Sequence, residues 1–180
     1  ESAMQGEKDC GGLIDVGYLS GEPVTGLEEG RPMLVRMPGT ALTFANLARS
    51  LVYGAIVTLK IGMDILAAEH VRMDALLGHG GFFKAPGTAQ KLLAGALNVP
   101  VSVMATAGEG GPWGMALLAA YRVRREAGET LEAYLQNRVF AGASGSTLDP
   151  DPADHEGFEA YTRRFTQALE AERAAVSHLK

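Results

Sequence analysis

The chain has 180 residues, about one domain's length, and 47% of them are hydrophobic, enough for a real core without a disulfide or metal staple. Its formal net charge is -5, from 16 Lys and Arg against 21 Asp and Glu. That balance excludes the concentrated basic surface a nucleic-acid backbone requires, while leaving room for a small anion in a local pocket. The single Cys10 excludes an intrachain disulfide and argues against a thiolate metal site or an oxidising compartment.

The opening Glu-Ser-Ala-Met-Gln has no initiator Met and no apolar signal stretch, as expected of a domain cut from a longer chain. Residues 11–19 mix apolar and small side chains and predict a short strand. Gly21 to Gly26 is punctuated as a loop, with Asp15 and Glu22 as polar groups nearby. Glu28 and Glu29 beside Arg31 suggest a charge-stabilised turn, and Met33 to Met37 a second short strand. Leu42 to Leu66 reads as one long helix, with Leu47, Leu51, Ala55, Leu59 and Met63 as its buried stripe. Asn46, Arg49, Lys60 and Asp64 interrupt it, so it does not read as a bilayer span.

Val71 to Leu77 predicts a short buried strand ending in Gly78-His79-Gly80-Gly81. A helix over 89–97 follows, then a strand over 101–105, a second glycine turn over 107–112, and a helix over 113–125. Strand, glycine turn and helix, repeated once, predict two parallel strands joined by a right-handed crossover. A short helix near 131–135 and a flexible Gly142 to Ser146 loop come next. The last helix starts at Asp151-Pro152, with Asp151 as its cap and Asp154 favouring its positive end. Its stripe is Phe158, Tyr161, Phe165, Ala168 and Leu169. Glu172 interrupts that stripe, which predicts less burial in the last turns.

The chemistry concentrates in the two glycine turns. Glycines at a strand's carboxyl end let a ligand approach the backbone, and the crevice beyond that end is the usual binding edge of an open α/β sheet. Gly80 and Gly81 could admit a nucleotide's base or ribose, or simply close a turn. Lys84 meets a phosphate or faces water. Glu109 argues against a plain phosphate cradle and leaves a ribose contact, a contact with the other turn, or a helix cap open. Neither turn is a P-loop or a full dinucleotide fingerprint. His79 reads as a surface or backbone-bonding residue, and Trp113 as a core anchor. His70, His155 and His178 lack metal-ligand spacing.

The run Gly78-His79-Gly80-Gly81-Phe82-Phe83-Lys84-Ala85-Pro86 resembles the adenosine segment of the FGGY carbohydrate kinases, with Gly80, Gly81 and Lys84 at matching positions. Segment 90–100 resembles that family's following helix. The run from Glu109 to Ala120 is similar to its glutamate, glycine and alanine-rich helix, and Gly21-Glu22 to its Gly-Glu neighbourhood. The likeness is strongest to the ribulokinase and xylulokinase branch. It implies an α/β fold: a partial actin-like (ribonuclease H-like) ATPase domain with parallel βα units and added helices. Residues 1–180 would form the C-terminal part of the kinase's second domain, with the N-terminal sugar-binding and catalytic domain lying outside this chain.

The resemblance further implies transfer of the ATP γ-phosphate to a pentulose hydroxyl, of ribulose or xylulose type, with Mg2+ carrying phosphate charge in a cytoplasmic enzyme. Gly80, Gly81, Lys84, Glu109 and Gly110 would supply the adenosine side of the site. No catalytic residue and no metal ligand is assigned within this chain, which alone is expected to be inactive. Phe82 and Phe83 either shape the adenine site or block part of it. The implied partners are ATP, a sugar and the missing domain, with no nucleic acid and no membrane; an exposed edge would permit a homodimer. Two alternatives remain: an actin-like kinase for a non-sugar substrate, and a non-catalytic actin-like interaction module.

Overall fold

The computed structural model describes residues 1–180 apart from Pro86 and, for Glu109, the backbone only. A short helix, α1 (Ser2–Gln5), precedes β1 (Ile14–Val16) and β2 (Met33–Val35), which pair antiparallel with Ile14 opposite Val35. The long helix α2 (Phe44–Ala68) begins at Thr43, whose side chain accepts the Asn46 N–H. Then come β3 (Leu76–Gly78), α3 (Thr88–Leu97), β4 (Val101–Met104) and α4 (Gly110–Arg124). The helix α5 (Leu131–Tyr134) runs into a π turn, Leu135–Val139, before β5 (Gly145–Leu148) and α6 (Pro152–His178). The second sheet has the order β3-β4-β5; β3 runs parallel to β4, as the repeated strand–turn–helix pattern predicts, and β5 antiparallel to it.

The core forms where α6 crosses α2 and the β1–β2 pair. Phe158, Tyr161, Phe165, Ala168 and Leu169 of α6 are all buried, the stripe read from the sequence. The Tyr53 ring of α2 meets Phe158 edge-on at 4.7 Å and Tyr161 at 5.3 Å, favourable geometry for aromatic pairs. Tyr161 fixes β1 through its hydroxyl, which accepts the Asp15 N–H at 3.2 Å and donates to the Asp15 carbonyl at 3.1 Å. Burial pushes the Tyr161 phenol well above its ordinary range, so it stays protonated as a donor. Asp151 caps α6 by accepting the N–H groups of Ala153 and Asp154, and these bonds hold its carboxyl below its ordinary value.

The α2 stripe is rotated from the expected one. Its buried residues are Asn46, Arg49, Ser50, Tyr53, Ile56 and Val57, whereas Leu51, Ala55 and Leu59 face outward. Polar side chains occupy the inner face because each finds partners far along the chain. Asn46 receives the Glu7 N–H and donates to Glu7 and the Ala41 carbonyl. Arg49 is 0% exposed; it donates to the Ala3 carbonyl at 2.9 Å and to Asp154 at 3.2 Å. Lys8 meets the same Asp154 oxygen at 2.6 Å. Asp154 therefore serves mainly as the anion of this buried cluster.

By length and composition alone α2 could cross a membrane, which the interrupting polar residues had seemed to exclude. Arg49 shows the use of one such residue, as a buried link between α2 and α6. Other expectations also change. Residues 71–75 are not strand, and Leu77 in β3 is 67% exposed because the outer edge of β3 carries no neighbouring strand in this sheet. Gly145 and Ser146 belong to β5 rather than to a loop, since β4 pairs with them. Glu172 is fully buried, accepting the Arg31 N–H, so α6 stays packed one turn beyond the apolar stripe.

Candidate functional site

Both glycine turns leave the carboxyl ends of the parallel strands β3 and β4, so the sheet itself brings them side by side. After β3, His79 and Gly80 lead into a single 3-10 turn, Gly81–Lys84; Gly80 sits at φ 97°, a conformation that favours glycine. After β4, the chain makes a 3-10 turn at Ala107–Glu109 and enters α4 at Gly110. One hydrogen bond joins the turns: the Gly80 N–H donates to the Ala107 carbonyl at 2.7 Å. The Phe83 N–H closes the first turn on the Gly80 carbonyl at 3.1 Å.

The predicted residues converge on this ledge. A Cβ built on Gly80 or Gly81 meets nothing within 4 Å, so both present open backbone. The Lys84 stem lies across the second turn, with its Cγ 3.4 Å and its Cε 3.5 Å from a Cβ built on Gly108. His79 is exposed and packs against Gly110, where a built Cβ would stand 2.9 Å from the His79 Cβ. Gly110 is thus needed for close approach of the turns. The Glu109 backbone belongs to the second turn; its side chain, like Pro86, lies outside the described residues.

Phe83 neither blocks the ledge nor stands free. Its ring lies against Gly78 at the end of β3, in the space a Cβ there would fill, and packs on the core. Phe82 meets it edge-on at 5.4 Å. Trp113 departs from the expected core position. It is half-buried and stacks edge-on with Phe140 at 5.7 Å, because none of the described residues of α4 is buried and the helix leans on the α5 segment instead. The two rings wall an apolar cavity of about 590 Å³ that also touches His79, Gly110 and Gly111.

A second cavity, about 380 Å³, opens on the other flank of the ledge, with Phe83 and Ala85 on one side and Ser144 and Ser146 on another. Sequence reasoning missed this β5 wall. Its small polar residues read as a loop, and only pairing with β4 makes them a strand.

Chemically, the ledge offers open glycine backbone, one lysine and the start of α4 between two cavities, which suits a flat or anionic ligand laid along the strand ends. Among the described residues no three His, Cys, Asp or Glu side chains converge as a metal site. The catalytic carboxylate that phosphoryl transfer would need is not assigned to Asp15, Asp64 or Asp74. Asp15 lies against Gly54 in the β1–α2 packing, and Asp64 and Asp74 are tied to Lys60 and Arg72.

Residues 1–123 match the family model described as the FGGY family of carbohydrate kinases, C-terminal domain. No curated protein is matched. Among solved structures, a ligand-bound xylulose kinase from Lactobacillus acidophilus superposes with a TM-score of 0.75 at 20% identity, over 99% of this chain and 35% of that one. A gluconate kinase from the same organism gives 0.72 at 20% identity, again over 99% and 35%. The glycerol kinase of Plasmodium falciparum with ADP gives 0.66 at 20% identity, over 95% and 32%. At this identity the likeness shows the shared actin-like kinase fold, and the chain spans about a third of the length of these relatives.

Proposed function

This chain belongs to the FGGY family of carbohydrate kinases as a C-terminal domain, and from that premise we propose that it supplies the adenosine side of the nucleotide site in an ATP-dependent sugar kinase. The reaction moves the ATP γ-phosphate to a sugar hydroxyl, with a pentulose of the ribulose or xylulose type as the substrate. Support for a sugar substrate comes from the family; support for the pentulose comes from the sequence resemblance and from xylulose kinases among the fold neighbours.

The observation that carries the nucleotide role is the joining of the two turns. The bond from Gly80 to Ala107 holds open glycine backbone and Lys84 on one ledge at the ends of parallel strands. Gly80 and Gly81 admit the nucleoside against the main chain, Gly110 lets the two turns close, and Lys84 offers a cation at the rim. Glu109 is assigned a polar contact with the nucleoside. These residues position; none removes a proton. The sugar hydroxyl's base belongs to a preceding domain, whose closure over the ledge aligns phosphate and hydroxyl and reduces water access. The described residues do not build a magnesium site, so no step is assigned here to that ion; magnesium enters with the nucleotide's phosphates.

The test is calorimetric titration of the chain with magnesium-ADP, beside a Gly81→Trp variant. A Cβ at Gly81 meets open space, so the indole occupies the ledge without disturbing the core. Saturable binding that the variant loses is expected. Absence of binding by the folded wild-type chain, or equal binding by the variant, contradicts the proposal.

A further inference from the structure

We propose that the cavity between the first glycine turn and the β4–β5 strand pair receives the base of the bound nucleotide, with β5 as its outer wall. This rests on the nucleotide role proposed above and assigns the base to one flank of the ledge. Two flanks are available. The Trp113–Phe140 cavity has His79 as its only polar lining side chain, which leaves most of a base's ring nitrogens and exocyclic groups without partners. The β5 flank combines an apolar floor with polar edges, the composition of a small-molecule site. Its floor includes Phe83, Val103 and Met104, and its rim Gln90, Ser144 and Ser146. At about 380 Å³ it lies within the usual size range of ligand pockets.

Three features make this a built cavity. Both glycine turns reach it, the first through Phe83 and Ala85 and the second through Ala105, so a ligand on the ledge continues into it. Its back wall is fixed by Gln90, which is 4% exposed; the amide donates to the Val101 and Ser146 carbonyls at 2.8 and 2.9 Å and accepts from the Ser146 hydroxyl at 3.0 Å. Its outer wall is held by the Ala105 N–H, which donates to the Ser144 carbonyl at 3.0 Å, and by the pairing of Met104 with Gly145. That wall lies beyond residue 123, where the family match ends, so it is a feature of this chain's own C-terminal segment.

The experiment places Ser144→Phe beside wild type and Gly81→Trp in magnesium-ADP titrations. Ser144 is exposed, so the larger side chain fills the cavity mouth without entering the core; unchanged thermal unfolding verifies this. The expected result is a loss of affinity of about tenfold or more, the scale of one lost base-stacking contact. A second readout on the unaltered chain is slowed hydrogen exchange at the β5 amides when ADP binds. Wild-type affinity in Ser144→Phe together with unchanged exchange in β5, while Gly81→Trp loses binding, overturns the base pocket and leaves the nucleotide role standing. No binding by the wild-type chain overturns both.

Discussion

Alanine would be tolerated very differently in the two halves of this molecule. In the half built from β1, β2, α2 and α6, a Cβ on Gly95 would stand 2.6 Å from the Asp154 Cβ, and one on Gly157 would collide with the Lys8 backbone. In the half that carries the ledge, Cβ atoms on Gly80, Gly81, Gly111 and Gly114 would meet nothing within 4 Å. Glycine serves close packing in the first region and open approach in the second. The same division runs through the charges. Arg49 and Asp154 are buried at the centre of the first half, while Lys84 and His79 lie exposed at the rim of the second. Stability and binding are thereby placed on separate residues, and the division can be broken from either side.

The largest effect is expected from Asp154→Ala. It leaves Arg49 buried without its carboxylate, which typically costs about 3–5 kcal/mol, and should appear as a large drop in the denaturant midpoint. A loss below about 1 kcal/mol would mean that the cluster does not hold α2 to α6. Next comes Gly157→Ala. The collision with Lys8 forces a backbone shift and should cost about 1–3 kcal/mol, whereas Gly114→Ala, pointing into open space on α4, should gain up to about 1 kcal/mol from helix propensity. Chemical denaturation of both variants reads the contrast directly, and equal effects would erase it.

The smallest effect concerns pH. Burial raises the Asp15 carboxyl above its ordinary value. Between the unfolded and folded values the native state binds more protons, so this group's contribution to stability falls as pH rises through that window and stays low above it. Asp15→Asn should therefore be more stable than wild type at neutral pH and close to it below the ordinary carboxylate range. Melting curves across acid and neutral pH decide the sign, and a stability loss at neutral pH would contradict it.

Local pattern revealed α3, α6, β4 and both glycine turns, because apolar spacing and glycine report on a few adjacent residues. The orientation of α2 was not legible. Its inner face holds Asn46, Arg49 and Ser50, and a hydrophobic count prefers the Leu51–Leu59 face, which lies outside. The inner polar groups are made tolerable by Glu7 and Asp154, partners 39 and 105 residues away, which no local window can include. Glu172 escaped notice for the same reason, since its partner is the main chain at Arg31. Of the site, the ledge was legible through its glycines. The β5 wall was not, since a Gly-Ser segment becomes strand only where β4 lies beside it.

The central claim is that the joined glycine turns hold a nucleotide, and the most direct measurement is magnesium-ADP binding to wild type and Gly81→Trp with unfolding midpoints recorded for both. Saturable binding by the wild type, lost in a variant that unfolds at the same midpoint, is the predicted result. Equal binding by both, or none by a folded wild type, would contradict it.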